Sequence, residues 1–385
     1  MTKLYGKIIP IIALFFFTVL CSNSVIFAAN DKNEGKNFQP DAFIMNHIVD
    51  SYGWHITTFK GHHIGIPLPV ILIDNGQLVC FSSGHLHSGT AAYKGYTIST
   101  QSPNKGKIVK LKDSDFTGHL EADKTYEIAE NANLWDFSIT KNVCSLFISI
   151  ILICVVFISV AKSYKKRTGK APKGLQTAVE ILILFMREDI AKPALGKTYL
   201  KYFPYLLTLF FFIFINNLMG LIPIFPGGAN LTGNIAVTGI LALITFLITL
   251  FSSSKVYWVH IFNTPGVPWW LKIPIPLMPA VEFLSVFTKP FVLMVRLFAN
   301  ITAGHIIALG FMSLIFIFGE MSPALGAGVS VISVLFYLFM SLLELIVAFV
   351  QAFLFTLLTA IFVGMAAEDS HEVGHEHQNI EKSPH

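Results

Sequence analysis

The chain has 385 residues, 54% hydrophobic and only 13% charged, with 35 phenylalanines and a net charge of +4. That much apolar surface excludes a soluble globular domain. What remains are functions carried out in or across a lipid bilayer. No nucleic-acid partner is implied.

The first elements read as export machinery. Lys3 and Lys7 precede an apolar stretch from Ile8 to Leu20, and the small residues Ala28 and Ala29 follow. Residues 1–29 are therefore expected to be a secretory signal peptide, the alternative being a retained anchor. Cys21 follows Thr18-Val19-Leu20, a poor lipobox, so no lipoprotein is expected. Residues 30–142 are then an exported module. Two apolar runs flank Asp74-Asn75-Gly76, a hairpin signal, and the segment from Tyr93 to Thr100 reads as another strand. The module is expected to be small and β-rich. His47, His55, His62, His63, His85, His87 and His119 lie in it at spacings that match no metal-ligand template. Cys80 is its only cysteine, so no disulfide framework is implied.

The membrane segments announce themselves by the absence of charge. No Lys, Arg, Asp or Glu occurs from Asn142 to Ala161, or from Tyr202 to Ser254. Arg296 is the only one between Pro290 and Gly319, and Glu344 the only one between Met321 and Ala367. About 20 apolar helical residues cross the hydrocarbon, so five spans are expected. The first is followed by Lys162, Lys165, Lys166, Arg167, Lys170 and Lys173, a cluster that stays in the cytoplasm. The module is then outside and the C-terminus inside. Lys255 and Lys272, after the third span, fall inside as well. The stretch from Leu175 to Gly196 carries too many charges to cross and suits a helix lying at the interface.

The last two spans hold the polar residues that call for explanation. An arginine inside the membrane costs several kcal/mol. Arg296 either snorkels toward headgroups or faces an ion path. Counted from the turn between these spans, His305 lies 14 residues before Gly319, and Glu344 lies 16 after Gly328. They belong at similar depth and make a proton-binding couple. Arg296 and Gln351 lie 23 residues from the same two edges and also match in depth. Glu344 and Gln351, seven apart, share a helix face; Arg296 and Asn300, four apart, are neighbours. His305 is nine residues from Arg296, half a turn out of phase. Twenty-three helical residues rise about 35 Å against about 30 Å of hydrocarbon, so mid-membrane depth for Arg296 requires strongly tilted helices.

These residues carry a family resemblance. The segment from Lys289 to Ile307, with Glu282 upstream and Leu342 to Phe362 downstream, resembles subunit a of F-type ATP synthases over about residues 140–367. So do the segments from Lys201 to Pro223 and from Gly233 to Thr238. The resemblance implies an all-α polytopic membrane protein with five membrane helices, the last two a long tilted pair. It implies a c-subunit ring, b subunits and the rest of the synthase as partners, besides membrane lipid. It implies no cofactor and no metal. Arg296 matches the arginine that faces the ring carboxylate. Asn300, His305, Glu344 and Gln351 match its polar partners, and Glu282 an acid of the cytoplasmic half-channel. His305 and Glu344 stand in the order of mitochondrial members, exchanged relative to many bacterial ones. Val292 stands where some bacterial members have serine. A bacterial inner-membrane location is expected.

The domains expected are thus 1–29, 30–142, 143–367 and a polar cytoplasmic tail, 368–385. In the tail, His371 to His375 spell a zinc-protease pattern, but with Gly374 inside it and no enclosing helix it reads as solvated chain. No Gly-rich nucleotide loop of the Walker type occurs, so the chain is not expected to be an enzyme on its own. The rival readings are a self-contained secondary transporter, which would show internal repeats, and a membrane metalloprotease.

Overall fold

A computed structural model describes residues 38–59, 62–99, 104–113, 116–120, 126–129, 134–222, 227–262 and 277–367. The expected signal peptide and the tail with its His371–His375 pattern lie outside the described residues. The chain divides into two compact units. The first comprises the described residues up to Ile148 together with Met219–Leu231 and Ile306–Ser341; the second comprises Ser149–Leu218, Thr232–His305 and the described residues from Leu342.

The N-terminal module opens with helix α1 (Pro40–Ile48), which has Pro40 and Asp41 in its first turn, where a missing N–H and a negative charge are both favourable. Strands β1 (Gly53–Phe59) and β2 (His62–Pro67) pair antiparallel. Strands β3 (Pro69–Asp74) and β4 (Gln77–Ser82) form the hairpin expected at Asn75-Gly76. Both turn residues have positive φ, 49° and 83°, the mirror-image turn whose twist matches that of the strands. Short strands follow: β5 (Ala91–Ala92), β6 (Tyr96–Ile98), β7 (Ile108–Lys110), β8 (Gly118–His119) and β9 (Leu134–Asp136). β5 pairs with β8, β6 with β7, and β9 returns to the free edge of β3, giving the order β4-β3-β9. Val70, Leu72, Leu86, Tyr96 and Ile108 make the module's core. At its edge the buried Asp74 accepts hydrogen bonds from Tyr96 Oη at 2.8 Å and Lys110 Nζ at 2.6 Å. Among the described residues no group of three His, Cys, Asp or Glu could hold a metal ion. His85 stacks on Tyr93, and the rings of His87 and His119 lie 5.3 Å apart.

Five helices are long and apolar enough to cross a membrane, as the charge-free runs predict. The first is α2 (Lys141–Lys166), with Lys165 and Lys166 in its last turn. The charged segment after it forms α3 (Leu175–Phe185), a π-helical turn at Met186–Ala191 and a single turn at Lys192–Leu195. Its charges pair along the surface: Glu188 meets Arg187 at 2.7 Å and Lys192 at 2.5 Å. Then come α4 (Tyr199–Leu221), α5 (Ile235–Ser252), the short α6 (Lys255–Phe262), and two helices of 45 residues each, α7 (Leu277–Met321) and α8 (Pro323–Ala367).

Within the second unit, Leu206, Phe210 and Ile213 of α4 are buried with Leu293, Leu297 and Ile301 of α7 and Ala352 and Phe355 of α8. The α7 residues recur every four positions, the spacing of one helix face. In lipid, apolar burial does not by itself drive such packing; close approach does, and Ala348, Ala352, Thr356 and Ala360 provide it as a fully buried strip of small residues on α8. Many other large apolar side chains stay exposed, Ile151, Val155 and Ile158 on α2 among them, as lipid-facing or partner-facing positions require.

Candidate functional site

The site is built on α7 and α8. Along α8, Glu344 precedes the small-residue strip by one turn and falls on the same buried face; it is 6% exposed. Gln351 lies two turns further on, also buried. On α7, the inward face defined by Leu293, Leu297 and Ile301 continues round to Gly304 and His305.

These two helices bring His305 and Glu344 together, as the depth count predicts: Nδ1 lies 3.1 Å from Oε1. That is ion-pair distance, but Oε1 has no hydrogen bond of good geometry among the described residues. Room for it comes from Gly304. A Cβ there would meet Oε1 of Glu344 at 3.1 Å and Cδ at 3.2 Å, tighter than normal contact. A side chain there would oblige the carboxyl to shift by a few tenths of an ångström.

Arg296 lies half-buried on α7, half a turn away from His305, with Asn300 one turn along and exposed. No carboxylate among the described residues forms an ion pair with Arg296. Arg296 and Gln351 match in depth by count, but no hydrogen bond joins them among the described residues. Glu282 sits half-buried near the start of α7. Its charge reaches Tyr257 on α6, whose hydroxyl pKa is raised, first by burial and then by Glu282. Lys289 falls midway between Glu282 and Arg296 in a seven-residue spacing, hence on one helix face, and its ammonium lies 5.5 Å over the Phe362 ring.

Sequence reasoning missed the polar brace behind the couple. Asn217 of α4 is buried, donates from Nδ2 to Ala348 O at 3.1 Å, and accepts at Oδ1 from Thr232 Oγ1 at 2.7 Å. It ties α4 to α8 one turn from Glu344. The signal was available, since Asn216-Asn217 is a polar pair inside an otherwise apolar span.

Comparison with known proteins adds an independent line. A family described as ATP synthase A chain matches residues 143–364. A domain of unknown function matches residues 43–137. The chain is 41% identical over 252 residues to an ATP synthase subunit a of Chloroherpeton thalassium, covering 63% of this chain and 71% of that one. It is 45% identical over 250 residues to ATP synthase subunit a 2 of Chlorobaculum tepidum, covering 63% and 67%. With an ATP synthase subunit a of Myxococcus xanthus it shares 40% identity over 258 residues, covering 65% and 80%.

Proposed function

We propose, from the premise that the chain belongs to the ATP synthase A chain family, that it is the Fo stator subunit in which two half-channels flank an essential arginine, Arg296, facing a rotating ring of c subunits. Such a subunit is a component of a complex and not an enzyme by itself. The observation that carries the reading is the layout of α7: Arg296 on one side, and half a turn away His305 in contact with Glu344.

Arg296 cannot release its proton, so it is no link in a proton wire. Its role is electrostatic. A ring carboxylate passing at about 4 Å gains about 4 kcal/mol at an effective dielectric of 20, enough to drive it to ionise. The same fixed charge bars protons from running straight between the half-channels. His305 and Glu344 line the outer half-channel; Glu282 serves the inner one, and Asn300 and Gln351 flank the arginine. Protons then cross only as the ring turns.

The 45-residue length of α7 and α8 supports the tilt this requires. Each rises about 67 Å, more than twice the hydrocarbon thickness, and cannot stand upright within it. With the basic cluster after α2 in the cytoplasm, residues 30–142 lie outside, α3 lies along the inner interface, and the tail is inside.

The test is ATP synthesis and ATP-driven proton pumping by the reconstituted complex, with assembly checked separately. Arg296→Ala assembles but supports neither, and leaks protons passively. Arg296→Lys keeps the charge without the planar fork and also fails. Near-normal synthesis by an assembled Arg296→Ala complex would mean that the arginine only snorkels.

A further inference from the structure

The three-stranded sheet of the N-terminal module has a second apolar face that the module's core does not use. Along β3, Val70 and Leu72 point into the core, so Ile71 and Ile73 point away from it. Leu78 on β4 and Trp135 on β9 both stand opposite Ile73, which puts all three on the outward face. Phe137 follows Trp135 by two positions, its N–H bonded to Ile71 O at 2.9 Å. Leu78 is 67% exposed, Trp135 66% and Phe137 58%. None of these positions is charged. A contiguous row of this kind on a surface marks a contact with something apolar.

The chain itself says what that is. The strand bearing Trp135 and Phe137 continues alongside β3, with Ile139 N–H bonded to Pro69 O at 3.1 Å, and enters α2 at Lys141. The junction is stiff. Lys141 N–H bonds Ser51 O at 2.8 Å and Asn142 N–H bonds Asp50 Oδ1 at 3.0 Å, tying the start of the helix back to the module. The four residue-to-residue steps from Phe137 to Lys141 reach at most about 14 Å, so the apolar face begins within that distance of a membrane-crossing helix's end. Phe147, further along α2, is already an exposed ring. The nearest apolar phase is the bilayer, and tryptophan favours the headgroup level, where its ring is buried and its N–H stays wet.

We propose that the outward face of the β4-β3-β9 sheet is a membrane-docking surface. It rests in the headgroup region of the leaflet at the N-terminal end of α2, with Trp135 and Phe137 as anchors. The module then lies on the bilayer and sets the entry of the first span. This holds whether or not the proton path runs as described above.

The test reconstitutes the whole complex in nanodiscs of phosphatidylcholine brominated either close to the headgroup or near the acyl-chain end. The Trp135 emission is the difference between the natural complex and Trp135→Phe. It is expected to be blue-shifted and to lose most of its intensity to the shallow bromines and less to the deep ones. Leu78→Trp in the natural background adds an emission with the same pattern and does not depend on Trp135→Phe assembling. If neither emission is quenched by bromolipid, the proposal is overturned: a red-shifted band means open water, and a blue-shifted one means that another subunit covers the face.

Discussion

The carboxyl of Glu344 lies against the bare backbone of Gly304, with Oε1 3.1 Å from where a Cβ would stand, and the same oxygen lies 3.1 Å from His305 Nδ1. Two neighbouring residues of α7 thus do different work on one acid. Gly304 leaves it room and His305 supplies a basic nitrogen.

Gly304→Ala is therefore expected to push the carboxyl away from the imidazole without changing any ionisable group. ATP-driven pumping should fall by about tenfold, since small misplacements at a reacting centre are costly. Gly304→Val should be worse. Unchanged pumping by Gly304→Val in vesicles with normal assembly would show that the contact has no part in transport.

The couple itself is tested by exchange. Glu344→Gln or His305→Ala should each slow pumping. Because the two groups are in contact, His305→Glu combined with Glu344→His should recover part of the loss, a non-additive outcome expected only of interacting sites. Proton flux measured across the four complexes decides it. Silent single changes would overturn the proposal that the pair lines an outer half-channel.

Asn217 is a brace rather than a proton carrier. Asn217→Leu removes the donor to Ala348 O and leaves the Thr232 hydroxyl without its acceptor. A loss of about 1–2 kcal/mol is expected. The thermal midpoint of the detergent-solubilised complex should drop. Thr232→Val should lower it less, since Asn217 then keeps its bond to the carbonyl.

The N-terminal module should be acid-sensitive at a known point. The hydrogen bond from Lys110, with a further one from Tyr96, holds the Asp74 carboxyl below its usual range against the opposing effect of burial. A carboxyl pKa lower in the folded state than in the unfolded one stabilises the fold above the unfolded value, near pH 4; that stability is lost as the pH falls through the folded value. Proteolysis of the module in the intact chain should accelerate over that acidic window. Asp74→Asn should flatten the dependence while lowering protection at neutral pH. An unchanged acid profile in Asp74→Asn would assign the effect to another group.

The sequence by itself determined what depends on near neighbours. Charge-free runs long enough to cross a bilayer announced five helices, because no backbone group can go unsatisfied in hydrocarbon. Asn75-Gly76 announced the hairpin, because its turn needs two positive φ angles in succession. Counting from a shared turn was enough to bring His305 level with Glu344, since helical rise is uniform along both arms. Counting gives height but not rotation. Whether two residues at one height face each other depends on how each helix is turned about its axis, and that is set by side chains far away in sequence. Hence only the tertiary structure showed that Gly304 faces the Glu344 carboxyl and that Asn217 reaches across to Ala348. Arg296 and Gln351, equal by the same count, are left without a hydrogen bond between them among the described residues. The outward apolar face of the sheet was hidden for the same reason. Leu78 and Trp135 are 57 positions apart in the chain, and only the pairing of β9 with β3 sets them on either side of Ile73.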